Sequence, residues 1–108
     1  INRRTYSAAN AFTMYMKTIP GVILVGDRTG GGSGLPFSSE LPGGWSIRLS
    51  ASPTLDVNGQ HTEFGIAPDV RSHLGANDRL NGKDSMIETA VHELRARHDS
   101  LSKAAALR

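Results

Sequence analysis

The chain has 108 residues, with 12 Lys or Arg, 10 Asp or Glu, a net charge of +2 and no cysteine. That length suits one small domain with a thin core, and 38% hydrophobic with 20% charged residues is a globular composition. Disulfides and thiolate chemistry are excluded, and the near balance of charge leaves no basic footprint for nucleic acid.

No apolar run reaches membrane-spanning length, so no membrane insertion is expected. The stretch after Ile1 has no leader pattern, which leaves open a leader in a longer parent chain.

In chain order, Ile1 to Thr5 reads as a strand end running into a polar turn. Ser7 to Thr18 reads as a helix, alanine-rich at its start, with Phe12 and Met16 one turn apart. Ile19-Pro20-Gly21 stops it, because proline cannot continue the ladder. Val22 to Val25 is a continuous apolar run, the pattern of a strand covered on both faces. Helix, turn and buried strand make two-thirds of a βαβ unit whose first strand would precede Ile1.

Gly26 to Gly34 is a glycine-rich loop, and Leu35 to Gly44 reads as further loop. Trp45 to Ser50 alternates apolar and polar residues, as a half-buried antiparallel strand does. Asn58-Gly59 signals a hairpin between Thr54 and His61, with Thr62 to Ile66 as its return strand. Arg71 to Lys83 reads as polar loop, and Ser85 to Glu88 fits a capping box. Ile87, Val91, Leu94 and Leu101 form one stripe of a terminal helix, whose tail from Lys103 to Arg108 extends it or frays.

Ser7 carries two readings. It stands where a helix begins, and serine caps helices well. The same place exposes a hydroxyl beside the free N–H of Ala8, which is what acyl transfer needs to stabilise an oxyanion.

Four segments bear on the choice: Tyr6-Ser7-Ala8-Ala9-Asn10, Val22 to Gly32, Leu41-Pro42-Gly43-Gly44-Trp45, and Glu63-Phe64-Gly65-Ile66-Ala67-Pro68-Asp69-Val70. In this order they resemble the successive signatures of the tail-specific and C-terminal-processing serine peptidases and their tricorn-core relatives. The resemblance covers about residues 1 to 95. It implies an α/β fold, here a partial ClpP/crotonase-like superhelix made of a helix, a buried strand, an antiparallel hairpin and a C-terminal helix. It also implies that residues 1–108 are the C-terminal fragment of a single peptidase domain.

By that resemblance Ser7 is the nucleophile, Ala8 supplies an oxyanion N–H, and Gly30, Gly31 and Gly32 line the substrate cleft. The processing peptidases activate their serine with a lysine where this chain has Gly32. Lys17 lies nearly three turns along the helix from Ser7, about 15 Å at the usual rise, too far to act as base. The tricorn-like branch, similar in lacking that lysine, uses a histidine upstream of the nucleophile, supported by a glutamate. Glu63 lies near that glutamate's place, and its alternative is a plain exposed strand carboxylate.

The remaining candidates point elsewhere. Gly30 to Gly34 lacks the Gly-x-x-x-x-Gly-Lys and following helix of a phosphate cradle. His61, His73, His92 and His98 have no metal-ligand spacing, so no metal and no organic cofactor is expected. Tyr6, Phe37 and Trp45 either line an apolar pocket or are core, with core the expectation for Trp45.

The implied function is a serine endopeptidase acting on peptides or unfolded protein tails, inactive in this fragment alone. Its partners would be that substrate and the remainder of its own chain or a homo-oligomer. An exported, periplasmic location in a bacterium would fit. The rival is a non-catalytic relative that binds an apolar ligand or peptide, and a third reading is a scaffold that keeps only oligomer contacts.

Overall fold

A computed structural model describes residues 1–106. The elements are helix α1 (Ala8–Lys17), strands β1 (Val25–Gly26), β2 (Pro36–Leu41), β3 (Trp45–Ser50) and β4 (Val70–Arg71), and helix α2 (Ser85–Ala106). A single 3₁₀ turn spans Thr62–Phe64. The chain is α/β, with two helices and two two-stranded sheets among the described residues. Residues 107 and 108, the end of the expected tail, lie outside the described residues.

The central sheet is short and parallel. Val25 pairs with Val70 and Gly26 with Arg71. Ile1 runs alongside β1, since its N donates to the Val25 carbonyl at 2.7 Å and its carbonyl accepts from the Asp27 N–H at 3.0 Å. Strand geometry is confined to Val25–Gly26, shorter than the Val22-to-Val25 run predicts. The β4 ladder spans Val25–Gly26 alone, and Leu24 is held instead by Asp69, whose Oδ2 accepts from the Leu24 N–H at 2.8 Å.

The apolar core is small: Met14, Leu24 and Ile66 are buried, with Ile1 and Val22 packed against them. Beside it five polar residues are buried: Asn10, Thr13, Thr29, Thr62 and Ser72. The inward face of α1 is therefore Asn10, Thr13 and Met14, whereas Phe12 points out at 63% exposure. Phe12 and Met16, one turn apart in the sequence, are not the buried face, because α1 packs on the glycine loop and the 3₁₀ turn through Asn10.

Two arms leave this unit. Pro36–Leu41 was expected to be loop, yet it forms β2 and pairs along its whole length with β3, from Pro36↔Ser50 to Leu41↔Trp45. Proline is tolerated as the first residue of an edge strand, and Gly43 and Gly44 supply the positive φ of the connecting turn. The β3 strand forms as expected but is exposed throughout, not half-buried, and Trp45 is 74% exposed, so it is not core.

The second arm is α2, with Ile87, Val91, Leu94 and Leu101 all exposed. Its entry departs from the capping box. Asp84 Oδ1 accepts from the N–H groups of Met86 and Ile87, both at 3.0 Å, while the Ser85 hydroxyl donates to Asp78 at 2.6 Å. Asp84 satisfies the first-turn donors, a role aspartate fills as well as serine.

The Asn58-Gly59 turn forms, closed by a Leu55↔His61 bridge, but Thr62 to Ile66 is not a return strand. The N–H and hydroxyl of Thr62 both donate to the Thr54 carbonyl, and Gly65 at φ 85° turns the chain away. Both arms leave the molecule elongated, with a radius of gyration of 18.7 Å against about 13 Å for a compact chain of this size.

Candidate active site

Ser7 closes the path from sheet to helix. Tyr6 bridges Gly31 in parallel, and the Ser7 N–H donates to the Gly31 carbonyl at 2.8 Å. Ser7 itself has φ 56° and ψ −121°, and its side chain makes no capping hydrogen bond. A helix cap has extended backbone and a bonded hydroxyl; Ser7 has neither. A non-glycine residue held at positive φ costs of order 1–3 kcal/mol and persists where its surroundings over-determine it. The geometry is that of a sharp turn from a β-bridge into a helix, with the serine at the turn.

Ala8 is the first helical residue, so its N–H has no acceptor within α1, and it makes no backbone hydrogen bond elsewhere among the described residues. Ser7 opens into a cleft of about 390 Å³ lined by Tyr6, Gly32, Pro36, Arg48, Leu49 and Ser50. An accessible hydroxyl beside an unsatisfied amide is a constellation suited to acyl transfer.

The glycine loop passes so close to its neighbours that side chains are shut out. A Cβ on Gly31 would stand 1.8 Å from the Glu63 carbonyl oxygen, and one on Gly32 would stand 2.2 Å from the Tyr6 ring. Both glycines also have positive φ, 81° and 76°. Gly30 is half-buried behind them, its N–H donating to the Thr5 carbonyl at 2.9 Å. Of the three, Gly32 lines the Ser7 cleft, while Gly31 holds the Ser7 backbone.

Beneath the elbow lies a polar network. Asn10 is fully buried; its Nδ2 donates to Ser33 Oγ at 2.6 Å and to the Thr62 carbonyl at 3.0 Å. Its Oδ1 accepts from the Thr29 hydroxyl at 2.5 Å, and that hydroxyl accepts from the Ile66 N–H at 2.6 Å. One side chain thus ties α1 to both ends of the glycine loop and to the 3₁₀ turn. Asn10 stands in the Ser-Ala-x-Asn start of the helix, and that motif was the one signal pointing to it.

Glu63 comes beside the loop through its backbone, its carbonyl accepting from the Gly32 N–H at 3.2 Å. Its carboxylate accepts from Ser50 Oγ at 3.4 Å, and Glu63 lines a second cleft with Pro53, His61 and Phe64. Among the described residues no hydrogen bond joins Glu63 to Ser7, and they line different clefts that share Ser50. Glu63 sits on a 3₁₀ turn, which removes the strand-carboxylate reading of it.

Sequence reasoning missed Ser50 and Arg48, although the alternation of β3 places both on its polar face. Lys17 is engaged elsewhere, 3.4 Å from Asp69 and donating to the Ala67 carbonyl at 2.9 Å. No group of three potential metal ligands occurs among the described residues, and no described helix is long and apolar enough to cross a membrane.

The family model of peptidase family S41 matches residues 1–72. The crystal structure of a candidate peptidase from Parabacteroides merdae ATCC 43184 is similar, at 57% identity and a TM-score of 0.83 over 91% of this chain. This chain covers 31% of that one, so it spans about a third of that structure's length. No curated protein matches. The chain belongs to peptidase family S41, the C-terminal-processing serine peptidases.

Proposed function

We propose that these residues are the C-terminal part of the single catalytic domain of a serine endopeptidase, acting on peptides or unfolded protein tails. Ser7 Oγ attacks the scissile carbonyl carbon, its proton passes to a base, and the Ala8 N–H donates to the oxyanion. Collapse of the adduct breaks the C–N bond, the amine leaves with the proton, and water then releases the acyl group. The Gly30–Gly32 backbone holds the peptide beside the elbow.

The base is a histidine contributed by an upstream part of the parent chain, as in the tricorn-like branch, with Glu63 orienting it through the Ser50 side of the cleft. Gly32 in the lysine position and the Lys17–Asp69 pair support a base other than lysine. The parent domain would complete the crotonase-like superhelix over the exposed arms, by its own remainder or a second copy. These residues alone are inactive, and an exported compartment suits a tail-cleaving enzyme.

The observation that carries the reading is Ser7 itself: strained, uncapped and open to a cleft. Treating the parent chain with a fluorophosphonate and mapping the adduct by mass spectrometry tests it. A label on Ser7 is expected, with hydrolysis falling by about 10⁴-fold or more in Ser7→Ala. A folded sample that takes no label would overturn the nucleophile and favour the ligand-binding alternative.

A further inference from the structure

The cleft that holds Ser7 contains one permanently charged side chain, Arg48. We infer that Arg48 is a specificity determinant: it selects substrates that carry a carboxylate next to the bond placed at Ser7. The inference rests on the peptide-binding reading of that cleft and adds the substrate class.

The register of the hairpin carries the argument. Residues paired across β2 and β3 share a face, so Ser38, Glu40, Ser46, Arg48 and Ser50 lie on one side. Phe37, Ser39, Leu41, Trp45, Ile47 and Leu49 lie on the other, and Pro36 shares the face of Arg48. Arg48 is opposite Ser38, which cannot neutralise it, and Glu40 is opposite Ser46.

Among the described residues the ion pairs are Lys17–Asp69 and His98–Asp99, and Arg48 belongs to neither. On the same hairpin face Glu40 is diagonal to Arg48 yet forms no ion pair with it, and Glu63 bonds to Ser50 in a separate cleft. The base of the hairpin is pinned, with the Ala51 and Ser52 N–H groups donating to the Gly34 carbonyl at 2.8 and 3.0 Å. The guanidinium is therefore unpaired, beside the proposed nucleophile, on a strand fixed to the glycine loop.

An unpaired guanidinium offers a planar fork of donors that matches a carboxylate in two parallel hydrogen bonds. An extended peptide advances about 3.3 Å per residue, and Arg48 lines the same cleft as Ser7, so a substrate bound at Ser7 places neighbouring residues in the cleft that Arg48 lines. The matching group is either the C-terminal carboxylate of a tail or the side chain of Asp or Glu. Both present the same chemistry to the fork.

Binding separates these sources and does not depend on turnover. The parent chain with Ser7→Ala, which leaves peptides uncut, is offered hexapeptide libraries with randomised sequence. One set ends in a free carboxylate and one in an amide, each prepared with Glu and with Gln at a fixed interior position. Bound peptides are identified by mass spectrometry and their affinities measured by fluorescence anisotropy.

Carboxylate peptides are expected to bind about fivefold tighter than their neutral counterparts, the upper range for a partly exposed pair. The free-acid arm reports a C-terminal origin and the Glu arm a side-chain origin. Arg48→Gln should abolish the ratio and Arg48→Lys retain part of it, with unchanged circular dichroism.

Equal affinities in the Arg48 protein, a ratio that survives Arg48→Gln, or no retained peptide would each overturn the inference. Fluorophosphonate labelling of Ser7 in the parent chain decides the peptidase reading separately. A label without a carboxylate ratio removes Arg48 and keeps the peptidase; a ratio without a label does the reverse.

Discussion

Around Asn10, polar side chains are buried and every one is bonded, while along the β2–β3 hairpin and α2 apolar side chains are patterned for burial and stay exposed. The two regions use different forces. Hydrogen bonds in a buried network are directional, so each fixes an atom relative to its partner, and leaving one unmade is costly. An apolar face is non-directional and accepts any surface that removes it from water. Geometry at Ser7 needs the first kind. The arms have the second kind, which suits joining a larger body, in line with a related structure about three times as long.

The largest expected contrast sits in the glycines. Gly31→Ala puts a methyl 1.8 Å from the Glu63 carbonyl oxygen at φ +81°. It should cost at least about 4 kcal/mol, combining left-handed strain with a clash against backbone. Gly44→Ala, at φ +80° with nothing within 4 Å, keeps only the strain, about 1 kcal/mol. Urea denaturation followed by circular dichroism compares them. Similar midpoints for the two variants would break the distinction between the regions.

Next in size is Asn10→Leu, which leaves the Thr29 and Ser33 hydroxyls and the Thr62 carbonyl without their partner. A loss of about 3 kcal/mol is expected, together with slower labelling of Ser7 by fluorophosphonate, because the loop that sets the elbow loosens. Unchanged labelling would show that the elbow is held from the strand side alone.

What could be read in the sequence divides along the same line. Helix α1, strand β3, the Asn58-Gly59 turn and α2 are local patterns, and each appears near its expected place. Strand β2 was hidden because Pro36 and the prolines and glycines around it read as loop, although Phe37 and Leu41 alternate with polar residues. The partners of Asn10 lie 19, 23 and 52 positions away, and contacts of that separation leave no periodic trace. The positions of Ser7 and the glycines came from motif order. The strain at Ser7 and the separation of Glu63 from it are properties of backbone path, which composition does not encode.

A smaller effect tests the arms. Leu94 is 66% exposed on α2, so in these 108 residues alone Leu94→Ser should shift stability by less than about 0.5 kcal/mol. Leu24→Ala, in the core, should cost about 2–4 kcal/mol by cavity formation. In the parent chain the Leu94 variant should become costly if upstream residues cover α2. A costly Leu94 variant in the short chain would mean that α2 is already covered there, for example by a second copy.

The smallest effect concerns the joint between the two regions. Asp78 anchors the entry to α2, accepting from the Ser85 hydroxyl at 2.6 Å, the Gly75 N–H at 2.8 Å and the Ser85 N–H at 3.2 Å. The Ser85 hydroxyl, and after it the Gly75 N–H, hold its carboxyl below the ordinary value of 3.8. A depressed carboxyl favours the folded joint above its unfolded value and loses that contribution as pH falls through the folded one. Between neutral pH and about pH 5 the joint should therefore be insensitive to acid, and below the ordinary carboxylate range it should open. Hydrogen exchange at the Ser85 N–H reports this directly: protection should fall in acid in the native chain, and Asp78→Asn should flatten the dependence. An acid response that persists in Asp78→Asn would overturn the assignment of the opening to the Asp78 carboxyl.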